Sequence, residues 1–127
     1  MKFLLDTHAL IWLIEAPSKV SPEIREALKF PGNSVYLSSV SLWEIAIKTA
    51  LGKLDLKMPF EKLLSDLNST NIVILQIEAE YLRKLFSLPA IHKDPFDRLI
   101  IATALAEYLT VITADENIQK YDVPWVW

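Results

Sequence analysis

The sequence predicts an α/β fold: a three-layer α/β/α sandwich around a central, mostly parallel sheet of about five strands. Three observations carry that expectation. Short apolar runs alternate along the chain with stretches of helical periodicity, the pattern of a parallel sheet covered by helices on both faces. Proline, glycine and asparagine fall at the joints between these segments, where they act as turn and stop signals. Finally, Asp6 and Asp115 stand just past two of the apolar runs, and open sheets of this kind gather their functional groups at the carboxyl ends of the strands.

The segments follow in order. Lys2 to Asp6 reads as a short buried strand, and Thr7 to Glu15 as a helix that stops before Pro17. Ser21-Pro22-Glu23 is a helix start, Ser capping and Pro in the first helical position; that helix ends near Phe30, where Pro31-Gly32-Asn33 interrupts it. Ser34 to Ser38 is rich in strand formers, and a helix runs from about Ser39 to Leu51, with Gly52 at its stop position. Lys53 to Pro59 connects to a helix over Phe60 to Leu67, followed by the polar stretch Asn68 to Asn71. Ile72 to Leu75 is a strand, Glu78 to Phe86 a helix, Leu88 to Lys93 a loop, and Pro95 to Tyr108 a long helix. Thr110 to Thr113 and Val123 to Val126 complete the strands.

A chain of 127 residues is expected to form one domain, residues 1–127, since no repeat, low-complexity tract or linker divides it. Its length allows a core without covalent staples. The absence of cysteine excludes disulfides, thiolate metal sites and a cysteine nucleophile. With only two histidines, His8 and His92, a metal would have to be held mainly by oxygen. Charges interrupt every apolar run well short of spanning length, and the start carries an acid at position 6 rather than a signal peptide's apolar stretch. A cytoplasmic location is expected. The net charge of −3 argues against a general phosphate-backbone binder, although divalent ions among clustered acids would reverse the sign locally. An apolar fraction of 52% points to a surface covered by a partner, a second copy or another chain.

The candidate functional residues are four acids beside apolar runs: Asp6, Glu44, Asp97 and Asp115. Carboxylates in such places are costly unless paired or bound to a cation, and hard divalent ions take oxygen ligands of this kind. Each also has an ordinary structural reading. Asp6 suits an N-cap, and Asp115 a turn residue or cap. Ser41-Leu42-Trp43-Glu44 matches a capping box, but the preceding strand ends near Ser38, which puts Glu44 past the first turn; its helical neighbour Lys48 offers a modest surface pair. Asp94-Pro95 reads as cap and first helical residue, which makes Asp94 structural and leaves Asp97 in the first turn, where a carboxylate also suits the helix dipole. The joint pattern, rather than any one position, singles out the set.

The stretches Leu4-Leu5-Asp6-Thr7-His8, Ser41-Leu42-Trp43-Glu44-Ile45, His92 to Ala102 and Ile112-Thr113-Ala114-Asp115 resemble those of the PIN-domain ribonucleases, most closely the VapC-type toxins of toxin–antitoxin pairs. The resemblance spans the chain in order, and the third stretch is its most specific part. It implies a PIN-like fold, an acidic site at Asp6, Glu44, Asp97 and Asp115 holding one or two Mg²⁺ or Mn²⁺ ions, and cleavage of RNA by metal-activated water. The family's hydroxyl beside the last acid corresponds to Thr113. The resemblance also implies a VapB-type antitoxin as partner; a homodimer fits the apolar composition. Asp6 is expected to be the shared metal ligand, with Asp97 and Asp115 next and Glu44 either binding metal or orienting water. Thr7 and Thr113 are expected to support the ligands, and Lys48 and Arg98 to meet phosphate oxygens. Two other readings compete: a Mg²⁺-dependent phosphatase-like enzyme, which would want an acid where His8 stands, and a binding module whose acids merely cap helices.

Overall fold

A computed structural model describes all residues, 1–127. Five strands, β1 (Lys2–Leu5), β2 (Ser34–Ser38), β3 (Val73–Leu75), β4 (Thr110–Ile112) and β5 (Trp125–Val126), form one sheet in the order β3-β2-β1-β4-β5. Every pairing is parallel, so the expected mostly parallel sheet is wholly so. Seven helices accompany it: α1 (Thr7–Glu15), α2 (Pro22–Lys29), α3 (Ser39–Ala50), α4 (Phe60–Asn68), α5 (Ala79–Ser87), α6 (Pro95–Glu107) and α7 (Glu116–Gln119). The caps sit where the sequence puts them: Ser21 on α2, Asp94 on α6, and Gly52 with φ 70° after α3.

The period-two alternation of the strands divides the core between the two faces of the sheet. Phe3, Leu5, Val35, Leu37 and Ile112 join Leu10 of α1, Ile24 of α2 and Leu63 and Leu67 of α4 on one face. Leu4 and Val111 join Ile100, Ile101 and Ala104 of α6 and Ile118 of α7 on the other. Leu4, Leu5, Leu37 and Val111 are fully buried, and each contributes on the order of 1.5–3 kcal/mol relative to an exposed side chain. A smaller cluster, Val40, Tyr81, Leu99 and Ala102, ties α3, α5 and α6 together.

The order of the strands positions the site. From β1 the chain moves outward to β2 and β3, and then returns past β1 to lay down β4 and β5. The carboxyl end of β1 is therefore the point where the direction of winding reverses, the place where crevices open in such sheets. Asp6 stands at that point.

Two features depart from the expected elements. The segment after Asp115, where no element was expected, is a four-residue helix, α7, and Asp115 is its cap, one of the two ordinary readings of that residue; a helix this short leaves no periodicity to detect. The long helix ends at Glu107 rather than Tyr108, which sits as a left-handed cap with φ 56° while Leu109 N–H bonds back to Ala104 O at 2.9 Å. A capping role in that conformation usually falls to glycine, so nothing in the sequence flags it.

Candidate active site at the carboxyl end of the sheet

Asp6 continues the ladder one residue past β1, its N–H donating to Ile112 O at 3.1 Å. Extended there, it caps α1: Oδ1 accepts from Ala9 N–H at 2.7 Å, while Oδ2 accepts from Thr113 Oγ1 at 2.5 Å. The residue is 3% exposed. Burial pushes its carboxyl above the usual range, against the lowering effect of the Thr113 and Ala9 bonds and of His8, and the charge of Asp115 adds to the rise. The cap and the strained charge thus belong to one residue.

Thr113, fully buried, links two of the acids. Its hydroxyl donates to Asp6 and accepts from Asp115 N–H at 2.9 Å. Asp115 Oδ1 in turn accepts from Asn117 N–H at 2.8 Å. Its other oxygen has no protein donor among these bonds.

Glu44 is 3% exposed despite lying on a helix. Ser38, not Ser41, caps α3, so the apparent capping box does not form. Glu44 Oε1 instead accepts from Thr7 Oγ1 at 2.6 Å, and the buried Ser41 Oγ lies 3.0 Å from that same hydroxyl. Oε2 pairs with Lys48 Nζ at 2.5 Å. Lys48 Nζ is also 4.0 Å from Asp94 Oδ2 and 5.6 Å from the Phe96 ring centre. Burial works to lower the Lys48 pKa, but the hydrogen bond and charge of Glu44, with Asp94 and Asp97 behind it, outweigh that and raise it. The expected surface pair is a half-buried cation set among carboxylates.

Asp97 occupies the first turn of α6, whose cap is Asp94: Asp94 Oδ1 accepts from Asp97 N–H at 3.0 Å. Asp97 Oδ2 lies 3.1 Å from His92 Nε2. Desolvation, joined by the charges of Asp94, Asp115 and Glu44, raises the Asp97 pKa to about 7, and only the His92 bond opposes the rise. Asp94 is therefore the cap the sequence implied and also a charge that Asp97 feels.

Hydrogen bonds and charge thus link Asp6 with Asp115 and Asp97 with Asp115 and Glu44 at this end of the sheet, with Thr7, Thr113 and Lys48 around them. Arg98 stands apart from this group. Its Nη1 donates to Pro89 O at 2.7 Å and to the Tyr121 hydroxyl at 3.0 Å, which commits it to holding the loop before α6. Sequence reasoning missed the supporting roles of His92 and Tyr121. His92 carried a faint signal, five residues before Asp97 in the same motif; Tyr121, 23 residues beyond Arg98, carried none. Beside Glu44 opens a hollow of about 350 Å³ lined by Thr7, His8, Ile11, Lys48, Lys53 and Leu54.

No three carboxylates or imidazoles stand together as a ready-made cage for an ion. The donors nevertheless suit Mg²⁺ or Mn²⁺, which bind through one or two carboxylates and keep several waters rather than filling an all-protein cage. Asp6, Asp97 and Asp115 are the carboxylates that could bind such an ion, one or two of them at a time with water completing its shell. Asp6 and Asp97 each have a carboxyl raised by burial and by neighbouring carboxylates, a repulsion that a cation relieves. Glu44 already has Lys48.

A family model described as the PIN domain matches residues 3–124. Among curated proteins, Ribonuclease VapC22 of Mycobacterium tuberculosis is 25% identical over 122 residues, covering 95% of this chain and 92% of its own length. Among solved structures, VapBC2 from Rickettsia felis, bound to a DNA fragment of its promoter, aligns at TM-score 0.77 and 20% identity over 100% of this chain and 99% of that one. DNA-bound VapBC from Salmonella typhimurium aligns at TM-score 0.73 and 19% identity, over 99% and 97%. At these identities the two structures speak to the fold alone.

Proposed function

The chain belongs to the PIN-domain family, and from that premise we propose that it is a divalent-metal-dependent endoribonuclease, the toxin of a VapBC-type toxin–antitoxin pair. One observation carries the catalytic part. Four carboxylates from four separate segments gather where the sheet's winding reverses, and two of them, Asp6 and Asp97, are held above the normal carboxylate range by burial and by the charge of neighbouring carboxylates. Acids shifted together by burial and by neighbouring charges are characteristic of catalytic and metal-binding sites.

Bound at these acids, Mg²⁺ or Mn²⁺ supplies Lewis acidity and charge neutralisation toward an RNA phosphodiester. The chain supplies the rest. Thr113 and the start of α1 fix both oxygens of Asp6. Asp115 is drawn toward Asp6 through the Thr113 hydroxyl. Glu44, held by Thr7 and Lys48, is placed to orient a water or receive its proton. Lys48 and Lys53, on the rim of the adjoining hollow, suit phosphate oxygens of the strand.

The competing module reading has real support, because Asp6, Asp94 and Asp115 all cap helices. Glu44 and Asp97 cap nothing, yet lie largely out of water. A purely structural account leaves those two unexplained. The protein that VapC22's name describes is a ribonuclease, and the aligned solved structures are VapBC complexes; an antitoxin partner for this chain follows that lead. The apolar surplus emerges at its surface as Phe30, Trp43, Leu51, Leu82 and Phe86, which suits an antitoxin or a second copy. No helix is long and apolar enough to cross a membrane, and action on RNA would place it in the cytoplasm.

Purified chain freed of any co-purified partner should cleave RNA with Mg²⁺ or Mn²⁺, and lose that activity with chelator and in Asp6→Asn. No cleavage under any divalent ion by folded protein would favour the binding module.

A further inference from the structure

We propose that His92 is a positioning residue for Asp97: with its ring proton on Nε2, it binds Oδ2 and leaves Oδ1 without a protein donor. The case is an account of protons around one buried hydroxyl. Tyr121 is 4% exposed. Its oxygen has three nitrogen neighbours: Arg98 Nη1 at 3.0 Å, the His92 backbone N–H at 3.2 Å and His92 Nδ1 at 2.8 Å.

A tyrosine hydroxyl offers one proton and accepts through its oxygen lone pairs. The arginine and the backbone amide can only donate, and between them they fill the acceptor positions. The hydroxyl proton must then point to His92 Nδ1, which has to be an unprotonated acceptor. In a neutral imidazole the remaining proton lies on Nε2, the atom 3.1 Å from Asp97 Oδ2. The opposite tautomer would make the hydroxyl accept three times and donate nowhere. It would be poorly satisfied in a site with little water.

Arg98 therefore acts at one remove. Its guanidinium, anchored on Pro89 O, fixes Tyr121; Tyr121 fixes the His92 tautomer; His92 aims the carboxylate. Ligand orientation through a fixed imidazole tautomer is a recurring device in metal sites. The tautomer stands on geometry alone, whereas its consequence for metal binding rests on the nuclease reading above.

The test begins on full-length, ¹⁵N-labelled, metal-free protein, with NMR correlations between the ring nitrogens and the carbon-bound ring protons. His92→Gln identifies which signals belong to His92. The expected result is a protonated Nε2 and a bare Nδ1, with that preference lost in Tyr121→Phe. Protonation at Nδ1, or an unchanged tautomer in Tyr121→Phe, overturns the proposal. Mn²⁺ titration followed by electron paramagnetic resonance then reads the consequence. His92→Ala should weaken binding ~10–100-fold, while His92→Gln, whose amide can donate from the same direction, should retain most of it. Folded His92→Ala that binds Mn²⁺ as tightly as the parent also overturns positioning. If the parent binds no Mn²⁺ and cleaves no RNA, the nuclease reading falls, and the NMR result still decides the tautomer.

Discussion

The two ends of the sheet differ in kind. At the amino ends of β2 and β3 lies the larger hollow, about 790 Å³, walled by Leu13, Arg25, Leu28, Phe30, Tyr36 and Ile72 among others. No carboxylate lines it. Its neighbours settle their polar groups locally: Arg25 Nε donates to Val20 O, and Asn33 Nδ2 to Ala27 O. The hollow at the carboxyl end is less than half that volume, yet it lies beside a cluster of acids in which burial and neighbouring carboxylates raise Asp6 and Asp97. Size of cavity and concentration of buried charge have separated here. Unrelieved like charge, which costs folding energy and invites a cation, is the better guide.

The sharpest way to break this contrast is Asp97→Asn. RNA cleavage should fall by more than the ~10–100-fold typical of groups that only support a metal ligand. The metal-free protein should melt no lower at pH 8, because the substitution removes a repelled charge. Retained cleavage, or a lower melting temperature, would return Asp97 to an ordinary first-turn acid. Leu63→Ala should do the reverse. Leu63 is 1% exposed and belongs to the apolar cluster that Leu13, Leu28 and Ile72 of the larger hollow pack against. Denaturant unfolding should register a loss of ~2–5 kcal/mol, with cleavage preserved below the transition.

The pH dependence of stability carries the same contrast. Burial, with neighbouring carboxylates, raises Asp97 from an ordinary 3.8 to about 7 in the folded chain, so the folded chain binds more protons than the unfolded chain between those values. Stability of the metal-free protein should therefore be highest at the acid side of that window and fall as pH rises through about 7. Asp6, shifted in the same direction, adds to the trend. Melting temperatures at pH 5.5 and 8, with and without Mn²⁺, check it: the ion should restore stability more at pH 8, and Asp97→Asn should flatten the profile. The smallest effect is expected at Asp94. Alanine there removes the cap from α6 and should cost about 1 kcal/mol, while asparagine, an equally good cap, should be nearly neutral, and cleavage should survive both. Cleavage lost in Asp94→Asn would show that its contact with Lys48 matters more than its cap.

Much of this molecule was legible along the chain. The eleven expected elements are present with ends within about two residues, and only α7 and a 3-10 turn at Pro17–Lys19 went unforeseen. Such agreement is expected where caps, proline, glycine and hydrophobic period all point the same way. The four acids were legible too, because charge beside an apolar run is conspicuous in one dimension. What the chain did not disclose is how the acids are held. Glu44 looked like half of a capping box or a surface ion pair, and only the approach of α1 to α3 gave it Thr7 as a partner. Arg98 sat inside the most specific motif yet turned to Tyr121 and Pro89.

Local sequence determined the strands, the helices, their caps and the identity of the acids, because those follow from backbone sterics and from hydrophobic period over a few residues. Tertiary structure alone decided which distant side chains hold the acids. Thr113 reaches Asp6 across 107 positions of chain, and Tyr121 reaches His92 across 29. Hydrogen-bond partners that distant depend on sheet order and helix packing, which no local pattern encodes.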